Sequence, residues 1–237
     1  MLQGIVLDFD GVVVNSEPLH LRAFQEVLAA GGHTLSAQEY YDCYVGLDDA
    51  AMFAAFARDR GLTGRADWVR QAIEAKTVRM QALLGDRSPL FPGAAECIRE
   101  LAGAVPLAIA SGALRHEILM VLDDAGLTRY FTAIVAAGET ARGKPAPDPY
   151  ERAVELLRAS SGATLDPWRV VAVEDTTQGL AAARAARLRT VAVTTTYPAD
   201  VVSSAEVIVP TLREVTLPLL AALVSGGGAD GTAGAAQ

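Results

Sequence analysis

Six short runs of the chain are apolar almost without interruption. They are GIVLDF (Gly4–Phe9), PLAIAS (Pro106–Ser111), AIVAAG (Ala133–Gly138), VVAVED (Val170–Asp175), TVAVTT (Thr190–Thr195) and EVIV (Glu206–Val209). They are rich in β-branched residues and lack the alternation of a half-exposed sheet, so each predicts a strand covered on both faces. Between most of them the apolar spacing turns helical, over Ala94–Ala102, Arg115–Ala125, Pro149–Ala159 and Gln178–Ala186. Strand–helix alternation of this kind predicts an α/β fold, a doubly wound parallel sheet with right-handed crossovers.

The alternation fails in one place. From about Ser16 to Arg87 no run reads as a strand. Pro18–Ala30 instead repeats Leu21, Phe24, Val27 and Leu28 at helical spacing and stops at Gly31-Gly32, and SAQE (Ser36–Glu39) has the form of a capping box. Asp48–Arg60 and Ala66–Leu84 are further helical stretches. This is too long for one crossover, so an all-α domain spanning 16–87 is expected inside a core made of 1–15 and 88–224. Hinges are expected near Asn15–Ser16 and Arg87–Pro92. The Gly-rich tail, 225–237, is expected to be disordered.

Composition narrows the function classes. A hydrophobic fraction of 51% and a mean hydropathy of +0.26 give ample material for a core. The net charge of -8 argues against nucleic acid as a partner, because an acidic surface repels a phosphate backbone. A small phosphorylated ligand stays open, since a bound cation reverses the local field. Cys43 and Cys97 form no CxxC pair and read as two packed thiols of a reducing compartment. Leu217–Val224 is apolar but short and contains Pro218, so it predicts a packed terminal helix and no membrane partner. Met1-Leu2-Gln3 leads straight into a strand without a basic leader, so a cytoplasmic location is expected.

Ligands of open α/β sheets sit beyond the carboxyl ends of the strands. The first strand ends in Asp8 and Asp10, and the second in Ser111-Gly112. The loop after the third, GETARGKPAPDPY, holds Lys144, and the fourth ends in Glu174-Asp175. Each has a plain reading by itself: an Asp-Gly turn, a helix-capping serine, a solvated lysine, a pair of helix-start acids. Their conjunction, each at the end of a different strand, predicts one site. Four crowded carboxylates buried without a partner would cost several kcal/mol or more. Mg²⁺, a hard cation that takes carboxylates, waters and phosphate oxygens, relieves that cost. With Lys144 added, the site suits a phosphate dianion.

The segments DFDGVVVNSE, IASG, GKPAPDPY and VEDTTQG resemble, in order, the four motifs of the haloacid dehalogenase superfamily. More narrowly they are similar to its β-phosphoglucomutase-like branch, whose helical cap follows the first motif. The match runs from Ile5 to about Val193. The resemblance implies that Asp8 is the nucleophile and Asp10 the general acid and base. Ser111 would bond a phosphoryl oxygen and Lys144 would tie phosphate to nucleophile. Asp8, Asp10, Glu174 and Asp175 would serve the metal, with Asp10 contributing its backbone carbonyl. The cap would close over the site and limit substrates to small phosphorylated metabolites.

Asp10 and the acidic pair argue against the superfamily's dehalogenases, whose leaving halide needs no proton. In the mutases a cap arginine holds a second phosphate; here VGLDDAAMF has Gly46 but places Asp48-Asp49 where a cation would be wanted. A phosphatase of a sugar or polyol monophosphate is therefore expected over a sugar-phosphate mutase, with a non-catalytic binding protein as the remoter alternative. Asp48 and Asp49 have two readings, as acceptors for sugar hydroxyls or as the start of a helix. His20 (near the acid–base aspartate in similar mutases), Lys76, Gly112 and Arg115 complete the expected substrate-binding set. A monomer or weak homodimer is expected. Arg187 stands where the family has a helix-ending glycine, so that helix must end differently or accept backbone strain.

Overall fold

The computed structural model describes residues 1–45, 47–62, 66–86, 89–162 and 164–226. Its strands are β1 (Gly4–Leu7), β2 (Leu107–Ala110), β3 (Phe131–Val135), β4 (Val170–Glu174), β5 (Arg189–Val193) and β6 (Val207–Val209). All pair in parallel, in the order β3-β2-β1-β4-β5-β6. Every residue of β1, β2 and β4 is buried, which accounts for their unbroken apolar runs. The strand order reverses at β1, which lies between β2 and β4. This is the crevice where an open α/β sheet binds its ligand, and Asp8, Ser111 and Glu174-Asp175 come from the three strands that form it.

Helices α5 (Ala94–Ala102), α6 (Arg115–Asp124), α7 (Asp148–Ser161) and α8 (Thr177–Ala185) follow in the core, and α9 (Leu217–Gly226) comes after β6; they are numbered after α1–α4 of the inserted unit. Tyr150, Val154 and Leu157 of α7 and Ala182 and Ala183 of α8 pack in one cluster with Val6, Ala108, Ala110, Val170 and Ala172 of the sheet. β3 begins two residues before the apolar run and ends at Val135, not Gly138. It is an edge strand with a register shift against β2, and its burial alternates, so hydrophobicity alone misplaces its ends. Helix α9 runs to Gly226, into the segment expected to be disordered; the rest of that tail lies outside the described residues. No described helix is long and apolar enough to cross a membrane. Cys97 is buried and donates to the Leu212 carbonyl at 3.2 Å, but Cys43 is exposed, which corrects the expectation of two packed thiols.

Contacts divide the chain into two units, Met1–Asn15 with the chain from Pro89 onward, and Ser16–Ser88. In the second, α1 (Glu17–Ala30), α2 (Ala37–Cys43), α3 (Asp49–Asp59) and α4 (Ala66–Asp86) enclose a core of their own. Phe24, Leu28, Tyr40, Met52, Phe53 and Phe56 are buried there, and Phe53 meets Phe24 edge-on at 5.2 Å. Ser36 caps α2 by accepting from the Glu39 N–H at 3.0 Å, and Asp48 caps α3 by accepting from the Ala51 N–H at 2.7 Å.

Arg187 resolves the question raised by its position. The Leu188 N–H reaches the Ala183 carbonyl at 3.0 Å and the Arg187 N–H the Arg184 carbonyl at 2.9 Å. This is the Schellman closure of α8, made with Arg187 at φ +65°, the one described non-glycine residue at positive φ. The helix ends in the ordinary way and arginine carries the strain, about 1 kcal/mol. Arg187 is exposed, so its side chain can be removed at little loss. Arg187→Gly is expected to raise the melting temperature by about 2 °C, the strain relieved exceeding the entropy glycine adds to the unfolded chain. A melting temperature at or below that of the parent chain would contradict this.

Candidate active site

Asp8 is the first residue past β1, and its N–H bonds the Val173 carbonyl at 2.9 Å, so neighbouring strands fix where its side chain starts. Its Oδ1 accepts from Lys144 Nζ at 2.8 Å, and the same ammonium reaches Glu174 Oε1 at 2.5 Å. Asp8, Glu174 and Asp175 are all buried, with one carboxylate oxygen from each within 4.8 Å of the others. Lys144, from the loop before α7, thus ties the end of β1 to the end of β4. Asp10 lies two residues past Asp8 on the same loop, half-buried, in a backbone bridge with Val14.

The glycines at this edge are there for room. A Cβ on Gly11, at φ +77°, would fall 1.9 Å from Asp175 Oδ2. A Cβ on Gly179 would fall 1.8 Å from Glu174 Oε1. The first-motif loop and the start of α8 are bare so that two carboxylates can press against backbone.

Glu174 and Asp175, adjacent in sequence, are used differently. Glu174 Oε1 accepts from Lys144 and, at 2.8 Å, from the Tyr150 hydroxyl. Its Oε2 accepts from the Asp175 N–H at 3.1 Å, the Thr176 N–H at 3.2 Å and the Thr176 hydroxyl at 3.0 Å. A carboxylate offers about four lone-pair directions, so Glu174, although within reach of a shared ion, has its acceptor capacity committed to anchoring Lys144. Asp175 is the opposite case: Oδ2 accepts from the Thr196 hydroxyl, while Oδ1 is buried with no hydrogen-bond partner. An orphaned buried carboxylate oxygen on Asp175, with the Asp8 carboxylate beside it, is a donor set that suits a hard divalent cation.

The charges agree with that reading. Three buried carboxylates face one ammonium. Burial pushes the Asp8 carboxyl well above its usual range, opposed by Lys144 and reinforced by Glu174 and Asp175. Burial, then the Glu174 charge, pushes Asp175 up to about 7. Burial acts the same way on Glu174, but Lys144 and the donors around it outweigh burial and hold it below the ordinary value. Burial would lower the Lys144 pKa, yet Asp8 and Glu174 raise it. Without a cation the cluster relieves its repulsion by taking up a proton; a cation does the same with both carboxylates ionised.

The remaining residues expected here fall in several places. Ser111 ends β2, and its Oγ accepts from the Ala113 N–H at 3.0 Å, so its own proton is left to donate outward. Gly112 beside it is exposed, with open space where a Cβ would stand. Arg115 is exposed and turned to the Glu139 carboxylate and the Ile134 carbonyl, each at 2.7 Å. Gly46 lies outside the described residues.

His20, Asp49 and Lys76 meet one another inside the helical unit. Lys76, one of only two lysines in the chain, is 3% exposed; its Nζ lies 2.8 Å from Asp49 Oδ1 and 2.9 Å from His20 Nδ1. Burial and the Lys76 charge lower the His20 pKa to about 3. His20 is therefore neutral, with Nδ1 accepting from the ammonium and its proton on Nε2.

Tyr150 and Thr196 also belong to the core site. Tyr150 stands at the end of GKPAPDPY, where its place in the helix reads simply as core.

A cation-dependent stability follows. A carboxyl whose folded pKa exceeds its unfolded one stabilises the fold while protonated. That contribution is complete below about pH 4 and is lost as the pH rises through about 7, the folded value of Asp175. A divalent cation should therefore raise the melting temperature more at about pH 7.5 than at about pH 5, by several degrees. Equal shifts at both pH values, or none, would contradict the geometry.

Residues 2–187 match the family model described as haloacid dehalogenase-like hydrolase. CbbY from Rhodobacter capsulatus is 33% identical over 205 residues, 83% of this chain and 87% of that protein. Hexitol phosphatase B from Escherichia coli is 30% identical over 192 residues, 79% of this chain and 82% of that protein. A crystal structure of a CbbY variant from Rhodobacter sphaeroides in complex with xylulose 1,5-bisphosphate superposes with a TM-score of 0.75 at 27% identity, covering 90% of this chain and 96% of that one. The four strand-end motifs, the parallel sheet and these likenesses agree: the chain belongs to the haloacid dehalogenase-like hydrolases.

Proposed function

We propose that the protein is a Mg²⁺-dependent phosphatase of a small sugar or polyol monophosphate, acting through an aspartyl-phosphate on Asp8. The observation that carries this reading is the pair Asp8–Lys144 beside the orphaned Oδ1 of Asp175. A carboxylate placed to act as nucleophile, a fixed ammonium and a buried carboxylate oxygen without a hydrogen-bond partner, all at one sheet edge, are parts that phosphoryl transfer can use. Asp8 and Asp175 would hold Mg²⁺, which when bound screens the nucleophile's charge and polarises a phosphoryl oxygen.

The chain's own residues do the rest. Asp8 attacks phosphorus in line, and the ester P–O bond breaks as the new one forms. Asp10 gives a proton to the departing alkoxide, then takes one from the water that attacks the phosphoryl group. That second displacement releases inorganic phosphate and restores Asp8. Lys144 neutralises charge on the transferring oxygens and is kept aimed by Glu174. Ser111 donates its free proton to a phosphoryl oxygen.

The helical unit supports a substrate with one phosphate. A cation for a second phosphate would be wanted near Asp49, and the Lys76 charge there is already matched by the Asp49 carboxylate. Asp48 is spent on its cap. A CbbY variant is seen with a bisphosphate and hexitol phosphatase B is named for hexitol esters; the balanced Lys76–Asp49 pair supports the reading that this chain acts on a monophosphate.

A panel of sugar and polyol phosphates should show Mg²⁺-dependent release of inorganic phosphate, without isomerisation of hexose 1-phosphate to 6-phosphate. Asp8→Asn should lower kcat by at least about 10³-fold. Isomerised product, or turnover undiminished in Asp8→Asn, would overturn the assignment. Asp49→Asn should uncover the Lys76 charge and raise kcat/KM for a bisphosphate relative to its monophosphate about tenfold. An unchanged ratio would remove Asp49 from the selectivity.

A further inference from the structure

The loop after β5 reads TTTYP (Thr194–Pro198) and lies outside the four family motifs. The Thr194 N–H bonds the Val209 carbonyl at 3.1 Å, which fastens the loop's first residue to the end of β6. The next two hydroxyls turn back to the catalytic edge. Thr195 Oγ1 donates to the carbonyl of Gly11, and Thr196 Oγ1 donates to Asp175 Oδ2. One short loop therefore bridges the backbone of the first motif and the carboxylate of the fourth.

The contact at Asp175 is directional. Oδ2 is boxed on two sides, by the bare backbone of Gly11 and by the Thr196 hydroxyl; a Cβ on Gly11 would meet Oδ2 at 1.9 Å and Thr196 Oγ1 at 2.8 Å. Pinning one oxygen of a carboxylate fixes the plane and direction of the other. The other is Oδ1, buried and without a hydrogen-bond partner. Without Thr196 the carboxylate is free to rotate and spend Oδ1 elsewhere.

We propose that Thr196 is a positioning residue for the metal site: its hydroxyl holds Asp175 so that Oδ1 is presented to the divalent cation, and Thr195 keeps that carboxylate in register with the Asp8–Gly11 loop. The inference rests on the metal-dependent reading above. Partners of metal ligands commonly set metal affinity by 10- to 100-fold when removed. Thr196 is itself exposed, so its loss leaves no hole in the core.

The test is calorimetric titration of Mg²⁺ into the metal-free 237-residue chain, with melting in chelator as the control. Thr196→Val should weaken Mg²⁺ binding about tenfold or more while melting in chelator within about 1 °C of the parent. Thr196→Ser, which keeps the hydroxyl, should bind within about twofold of it. Thr196→Ala should repeat the valine result, covering the case in which valine disturbs the loop. Binding by Thr196→Val and Thr196→Ala within twofold of the parent overturns the inference alone. So does a loss of affinity matched by equal destabilisation in chelator, which would mark a merely structural contact. A parent protein that takes up no Mg²⁺ overturns the metal-dependent reading, and the inference with it.

Discussion

Repulsion among three buried carboxylates organises this molecule. Asp8, Glu174 and Asp175 stand together at the edge of a sheet, with the Lys144 ammonium against Asp8 and Glu174. Buried like charges are expensive, and proteins keep them only where something compensates. Here part of the compensation is built in. Glu174 is ringed by donors from Lys144, Tyr150, Thr176 and its own backbone, and stays ionised. What remains uncompensated is concentrated on Asp8 and on one oxygen of Asp175, where a cation and a phosphoryl group would meet.

The fold follows from the need to hold that arrangement. With β1 between β2 and β4, the ends of three strands adjoin, and the first, second and fourth motifs become neighbours although they are more than a hundred and sixty residues apart at the extremes. The third motif, on the loop before α7, sends Lys144 across the gap. Gly11 and Gly179 let backbone approach the two acids so closely that any side chain would collide. The hydroxyl loop after β5 fastens the remaining side. The same charge logic recurs in miniature in the helical unit, where buried Lys76 is balanced by Asp49 and a neutral His20.

Much of this was legible in the sequence. Strands covered on both faces have unbroken apolar runs, so their number and parallel sense could be read, as could the polar residues at their ends; their order across the sheet could not. β3 was misplaced because an edge strand buries only alternate residues. Arg187 was visible as an anomaly, but its answer, a left-handed arginine in an ordinary closure, depends on backbone angles that composition does not encode. The separate roles of Glu174 and Asp175 were hidden because adjacent acids look alike; donors from Tyr150 and Thr196 distinguish them. The mutual pairing of residues 20, 49 and 76 was equally hidden, since spacing along the chain does not show that side chains on three different helices meet.

In the proposed reaction Asp8 would receive a phosphoryl group with the help of Lys144, Ser111 and a cation seated on Asp175. A crystal structure with magnesium and beryllium trifluoride, a mimic of a phosphorylated aspartate, tests it most directly. The trifluoride is expected on an Asp8 oxygen, its fluorines contacted by Lys144 Nζ and Ser111 Oγ, with magnesium bound to Asp175 Oδ1. Trifluoride attached to another residue, or magnesium absent from Asp175, would contradict it.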